Sequence, residues 1–428
     1  MRPVTTDLAT DNQPGSSGND GSGPGGFDIA RVRALFPALS TGAAFLDGAA
    51  GTQTPRSVID AIADAYAGGL SNTGGAFPAS RRADGFVDAA RQAVADLVGG
   101  APDGVVFGPS STALTYRLAA PISAGWVAGD NIVLTRLDHD ADVRPWVQAA
   151  GRAGVDVRWA DPSQPRLELG VEQFAPVVDS RTRLVALTAA SNVVGTRPDL
   201  SPITALAHGV GALTWVDGVH ATPHTPIDVV GWGADFYATS AYKWCGPHIG
   251  CVIAAPSLLE TLRPEKLASS SDAVPGRFEL GTLPFADLAG VTAAVDHLAA
   301  LDGIPPGGAE PRRAALVRSM RAVEAYETGL FTRLWSGLQR TTGVRTIGSA
   351  ASRTPTAWFT VDGSTPAEVA AACAAADVAV WDGHNYAWEL AGFLGIRDAG
   401  SAVRASIAHY NDSADVDRLL AVLGGLPA

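Results

Sequence analysis

The chain has 428 residues, 46% hydrophobic and 17% charged, with a formal net charge of −12. That balance suits a well-buried enzyme of two lobes and excludes a disordered chain, and an acidic chain without a basic cluster argues against a nucleic-acid or anionic-membrane partner. The three cysteines, Cys245, Cys251 and Cys373, give neither a disulfide framework nor a metal-ligand spacing, so no metal is expected, and they fit a reducing compartment.

In chain order, residues 1–26 read as a flexible tail. Asp11–Gly26 contains no large apolar residue, and the tail has no apolar core of a secretory signal. No stretch reaches the length of a charge-free membrane span, so the expectation is a soluble, cytoplasmic protein. Residues 27–45 are expected to pack with the smaller C-terminal domain. From 46 to 300 we expect a large domain. Ser57–Tyr66 and Ala83–Val98 carry apolar residues at helical spacing. Short apolar runs follow at Gly104–Phe107, Asn131–Thr135, Asp156–Trp159, Leu184–Thr188, Ala212–Val216, Asp235–Ala238 and Gly250–Ala254. Helix-like segments lie between them, at Trp146–Gly151, Val171–Val178 and Ile203–Gly209. Seven short strands separated by helices predict an α/β fold with a mostly parallel sheet covered on both faces. Ligands of such sheets bind at the carboxyl ends of the strands. Pro305–Gly308 marks a break. The small domain, 301–428, is expected to hold a long helix at Arg312–Gln339, strands at Val344–Ile347, Thr356–Val361 and Val378–Trp381, and helices at Pro366–Ala375 and Asp415–Leu423, a βαβ-like arrangement.

Four clusters of reactive residues fall at predicted strand ends. Phe107-Gly108-Pro109-Ser110-Ser111-Thr112 leaves a strand and opens a helix, where hydroxyls and free amides form either an anion site or an ordinary Ser/Thr cap. In Asp138–Asp142, His139 is either a ring-stacking partner or a surface histidine among carboxylates. Asp217 ends an apolar strand just before His220, as a ligand-reaching carboxylate or a loop aspartate. Only two of the 31 basic residues are lysines, Lys243 and Lys266. A preference for arginine explains most of that imbalance, but not a lysine in Ser240-Ala241-Tyr242-Lys243. An arginine keeps its proton, whereas a buried lysine can lose it and act as an amine nucleophile. Phosphate grip, ring partner, carboxylate and amine are together the parts that hold pyridoxal 5'-phosphate (PLP).

With these residues in place, the chain resembles a class V aminotransferase of the cysteine desulfurase-like group, a branch of the fold-type-I PLP enzymes. The similarity runs from about Phe36 to Leu423. It is carried by Phe45–Gly51, Ser191–Thr196, Ser240–Lys243, Arg277–Thr282 and Val403–Asn411. The resemblance implies that Lys243 forms the Schiff base and that Asp217 pairs with the pyridinium nitrogen. It implies that His139 stacks on the ring, that Asn192 bonds the phenolic oxygen and that His220 lies beside it. Ser110, Ser111 and Ser240 would bind the phosphate, and Thr282 would reach the phosphate of the neighbouring subunit of a homodimer. Arg404 would clamp the substrate carboxylate, with Asn72 and Tyr386 as further substrate contacts.

One departure from the family pattern bears on the reaction. Desulfurases of this group carry a nucleophilic cysteine in a C-terminal loop. The matching segment is Trp381-Asp382-Gly383-His384-Asn385-Tyr386-Ala387-Trp388-Glu389, with Tyr386 at the cysteine position. Tyr242 also stands where many desulfurases have His. The expected activity is therefore a carbon–sulfur β-lyase, working through the external aldimine with Cα deprotonation by Lys243. The alternatives are an aminotransferase, an epimerase or a decarboxylation-coupled oxidative deaminase of secondary metabolism. A desulfurase and a non-catalytic scaffold rank below these.

Overall fold

The computed structural model describes residues 27–304 and 310–427. The proposed tail at 1–26 and the Pro305–Gly308 break lie outside the described residues. Seven strands form the central sheet: β1 (Val105–Gly108), β2 (Asn131–Thr135), β3 (Asp156–Ala160), β4 (Thr182–Thr188), β5 (Leu213–Asp217), β6 (Phe236–Ser240) and β7 (Gly250–Ala254). Their order is β1-β7-β6-β5-β4-β2-β3, and only β7 runs antiparallel to its neighbours.

The apolar runs are continuous because both faces of the sheet are buried. Val106, Ile132, Leu134, Trp215 and Phe236 join the apolar cluster on one face. Val105, Phe107, Val133, Leu187 and Tyr237 join the cluster on the other. Helices Ser111–Ser123 and Arg144–Ala153 cover the first face. The second cluster extends through helix Phe285–Ala299 and the long helix Arg312–Arg340 to Phe359 and Val416. Thr135, Thr188, Asp217 and Ser240 therefore end their strands along one common edge.

Residues 27–45 contact the C-terminal part. Phe27 stacks on Tyr326 at 4.7 Å, Arg33 pairs with Asp412 and Asp415, and the two-residue strand Ala44–Phe45 pairs in parallel with Val378–Ala379.

Three expectations change. The segment after Val171 is helical only to Phe174: Ala175 still has helical geometry, but Pro176 has no N–H to continue the hydrogen-bond ladder. The run Val378–Trp381 splits: Val378–Ala379 pairs with Ala44–Phe45, whereas Trp381–Gly383 joins Ala402–Ser406. The C-terminal sheet is consequently four-stranded and antiparallel, in the order Trp381–Gly383, Ala402–Ser406, Thr356–Val361, Val344–Ile347, and not βαβ. The strand Ala402–Ser406 at its centre carries Arg404.

Candidate active site

Strand β6 ends at Ser240 and passes into a tight 3-10 turn, Ala241–Lys243. The turn delivers the Lys243 side chain to a cavity of about 510 Å³ at the carboxyl edge of the sheet. There Nζ donates to the Ala49 carbonyl and lies over the Tyr242 ring, 4.8 Å from its centroid. Tyr242 is held by stacking on His248 at 4.6 Å. Burial first, then the Arg404 charge, pushes the Lys243 ammonium down to about 7, against the opposing pull of Asp217 and Asp47. An amine in that position is substantially free of its proton at neutral pH.

Asp217 terminates β5 and is fixed by a local turn in which the Val219 N–H donates to its Oδ1 at 2.9 Å. The turn requires glycine at 218, since a Cβ there would lie 1.8 Å from the buried Tyr237 ring. Burial raises the Asp217 carboxyl to about 6. Behind it, Asp138 and Asp142 are also buried, and desolvation raises both. His139 accepts at Nδ1 from the Ala141 N–H at 3.0 Å, and burial with the nearby cations pushes it down to about 3. It therefore presents a flat, neutral ring. Burial likewise drives His220 well down, and His220 pairs through Nε2 with Thr356 Oγ1 at 3.0 Å.

At the far side, Ser110 caps helix Ser111–Ser123, its Oγ accepting from the Ala113 N–H. The Ser111 N–H donates to Ser240 Oγ at 3.2 Å, and that hydroxyl donates to Ser111 Oγ at 3.0 Å. Gly250 lies directly beneath this loop, where a Cβ would come 2.1 Å from the Ser110 carbonyl carbon. The helix N-terminus and the two hydroxyls gather hydrogen-bond donors at one corner, a chemistry suited to an anion. Arg404 is 4% exposed, donates from Nη1 to the Asn192 carbonyl at 3.0 Å and leaves Nε without a partner. Asn192 donates through Nδ2 to the Asn385 carbonyl at 2.8 Å, and its buried Oδ1 has no partner among the described residues.

The loop carrying Tyr386 is the most strained part of the wall. Asn385 and Tyr386 both take left-handed backbone conformations, with φ of 47° and 60°, which non-glycine residues rarely hold unless surrounding contacts enforce it. The contacts are present: Asp140 N–H donates to the Tyr386 carbonyl at 2.8 Å, and Tyr386 N–H donates to His384 Nδ1 at 3.0 Å. The Tyr386 ring consequently stacks on His139 with centroids 5.0 Å apart.

Of the residues singled out from sequence, Ser111, His139, Asn192, Asp217, His220, Lys243, Tyr386 and Arg404 line this one cavity. Ser240 is buried just behind Ser111, and the Ser110 hydroxyl is occupied as a helix cap. Asn72 and Thr282 are exposed and do not line it. Thr188, Tyr242 and His384 also line the cavity without having been assigned roles. Thr188 had a readable signal, as the last residue of a strand on the ligand-binding edge. None of the three cysteines lines the cavity; all are buried, and burial pushes Cys245 up to about 12 and Cys373 up to about 11.

The family profile described as Aminotransferase class-V matches residues 44–305 and 313–419. An uncharacterized protein of Mycobacterium tuberculosis is 36% identical over 402 residues, covering 94% of this chain and 99% of that protein. A probable cysteine desulfurase of Pseudomonas aeruginosa is 34% identical over 410 residues, covering 91% and 96%. The crystal structure of the cysteine desulfurase CsdA of Escherichia coli superposes with a TM-score of 0.80 at 27% identity, covering 93% of this chain and 98% of that one.

Proposed function

This chain belongs to the aminotransferase class-V family, and we propose that within it the protein is a carbon–sulfur β-lyase acting on an amino acid or a cysteine S-conjugate. It is a PLP-dependent enzyme of the fold-type-I class. The residues present fit that group: a lysine pushed down to about 7, a carboxylate at a strand tip, a hydroxyl-lined helix N-terminus and a buried Asn192 Oδ1 without a partner among the described residues. In this reading Lys243 holds the cofactor covalently, Ser111 and Ser240 with the helix N-terminus bind its phosphate, Asp217 meets the ring nitrogen and His139 covers the ring. Bound there, PLP withdraws electrons from the substrate's Cα and so makes its proton removable.

This chain's own groups do the rest. Arg404, charged and desolvated, holds the substrate carboxylate with its planar fork. Once the substrate's amino group has displaced it from the cofactor, Lys243, with an amine near neutrality, would take the Cα proton. The sulfur substituent would then leave as a thiolate, and with one water consumed the net products are thiol, pyruvate and ammonia. The observation that carries this reading is the composition of the cavity wall, which offers an amine and an arginine but none of the chain's thiols. A persulfide would have no sulfur to form on. The decisive assay compares S-substituted cysteines with free cysteine: thiol and pyruvate in equal amounts support the lyase, and sulfur transfer to the protein without pyruvate overturns it.

One observation favours a second reading. Trp381, Tyr386 and Trp388 are 51%, 66% and 40% exposed around the loop at the cavity mouth, which suits a bulky amino acid. On such a substrate, with sulfur retained, a keto acid identifies an aminotransferase, carbon dioxide a decarboxylating deaminase, and inversion at Cα with neither product an epimerase. We also infer a homodimer in which the exposed Thr282 completes the neighbour's phosphate site, with residues 46–300 and 301–428 as its two domains. Light scattering of the holoenzyme at twice 43.8 kDa tests the dimer. No helix among the described residues is long and apolar enough to cross a membrane.

A further inference from the structure

We propose that Cys245, His297 and His409 form a binding site for a thiophilic transition-metal ion, zinc or copper(I), in the core behind the lysine-bearing turn. The three side chains come from distant segments: the turn after β6, helix Phe285–Ala299 and the segment following the Arg404 strand. They are 0%, 8% and 0% exposed, and one ligand atom of each lies within 4.8 Å of the other two. Cys245 Sγ is 3.7 Å from His409 Nε2, and His297 Nε2 is 3.4 Å from the same nitrogen. Thiolate and imidazole ligands at about 2.0–2.3 Å from one ion are separated from each other by about 3.3–3.8 Å. Two of the three separations fall in that range, and the third, Cys245 to His297, is within 4.8 Å.

The surroundings agree with the spacing. Cys245 takes a left-handed conformation at φ 69°, a strained choice for a residue with a Cβ, and its N–H is tied to Thr52 Oγ1 at 2.7 Å. Both imidazoles turn Nε2 toward the cluster, where the two nitrogens and the thiol meet. Among the described residues His409 Nδ1 has no partner, while Nε2 meets both Cys245 Sγ and His297 Nε2, so a metal bound at Nε2 would leave the ring proton on Nδ1. Metal binding displaces the Cys245 thiol proton to solvent and leaves a metal–thiolate bond. With copper(I) the three-ligand site is electroneutral. With zinc one positive charge remains, and Glu327 is near enough for its charge to act on Cys245, with one buried oxygen unpaired. The ion would pin the Lys243 turn to the segment that follows Arg404.

The test is metal content. Protein is produced in zinc-supplemented medium and, separately, in copper-supplemented reducing medium, then freed of loosely held metal with a chelator. The expected result is about one equivalent of one metal per chain, falling below roughly a tenth in Cys245→Ser and His409→Asn variants that retain native circular dichroism. Less than roughly a tenth of an equivalent in wild type, in both preparations and after refolding with each metal, overturns the proposal. So does unchanged metal content in the variants. Should the variants not fold, X-ray absorption of the wild type decides: one sulfur neighbour at about 2.3 Å is expected, and a metal shell without sulfur refutes it.

Discussion

The burial of Lys243 sets a measurable acidity, and cofactor uptake by the cofactor-free enzyme reads it out. With the ammonium pushed from 10.5 to about 7, about nine in ten side chains carry a free amine at pH 8, against about one in three hundred for an exposed lysine. The rate of covalent attachment of PLP should therefore rise with pH and level off just above neutrality. Two substitutions move that inflection in opposite directions. Arg404 helps to lower the lysine and Asp217 opposes the lowering. Arg404→Gln should shift the inflection up, and Asp217→Asn should shift it down, each by up to about one pH unit. Stopped-flow mixing of apoenzyme with PLP across pH 5–10 measures it. An inflection near that of free lysine, or displacement of both variants in the same direction, would refute the electrostatic account of the site.

The remaining predictions concern attachment, specificity and packing. Lys243→Ala should retain no cofactor mass after borohydride treatment and denaturation, whereas wild type should retain one equivalent; intact-protein mass spectrometry checks this. Tyr386→Ala removes the ring stacked on His139 and should raise KM for bulky S-conjugates about tenfold while changing KM for small ones little. Gly218→Ala drives a methyl into the Tyr237 ring and should cost ~3 kcal/mol or more, seen as a lower Tm or as insoluble protein.

The central sheet was readable from sequence because its strands, apart from the half-exposed edge strand β3, are buried on both faces and so appear as short apolar runs bounded by turn residues. The long helix Arg312–Arg340 kept its predicted limits to within one residue, since it is long and uninterrupted. The antiparallel C-terminal sheet was not readable. The run Val378–Trp381 looks like one strand, and only its two competing neighbours, Ala44–Phe45 and Ala402–Ser406, divide it.

The site divides in the same way. Lys243, Asp217 and Ser111 were visible because a strand's end and a helix's start are local features, and their residue types stand out there. Thr188 carried the same local signal as a strand end, whereas Tyr242 and His384 gained meaning only when separate segments closed around one cavity. The same holds for Cys245, His297 and His409, which carry no common spacing along the chain. Side-chain type and local pattern determine what a residue can do. The acidity of Lys243 and the meeting of those three metal-ligand candidates were decided by tertiary packing, because desolvation and the distance between charges depend on neighbours that the chain brings together only when folded.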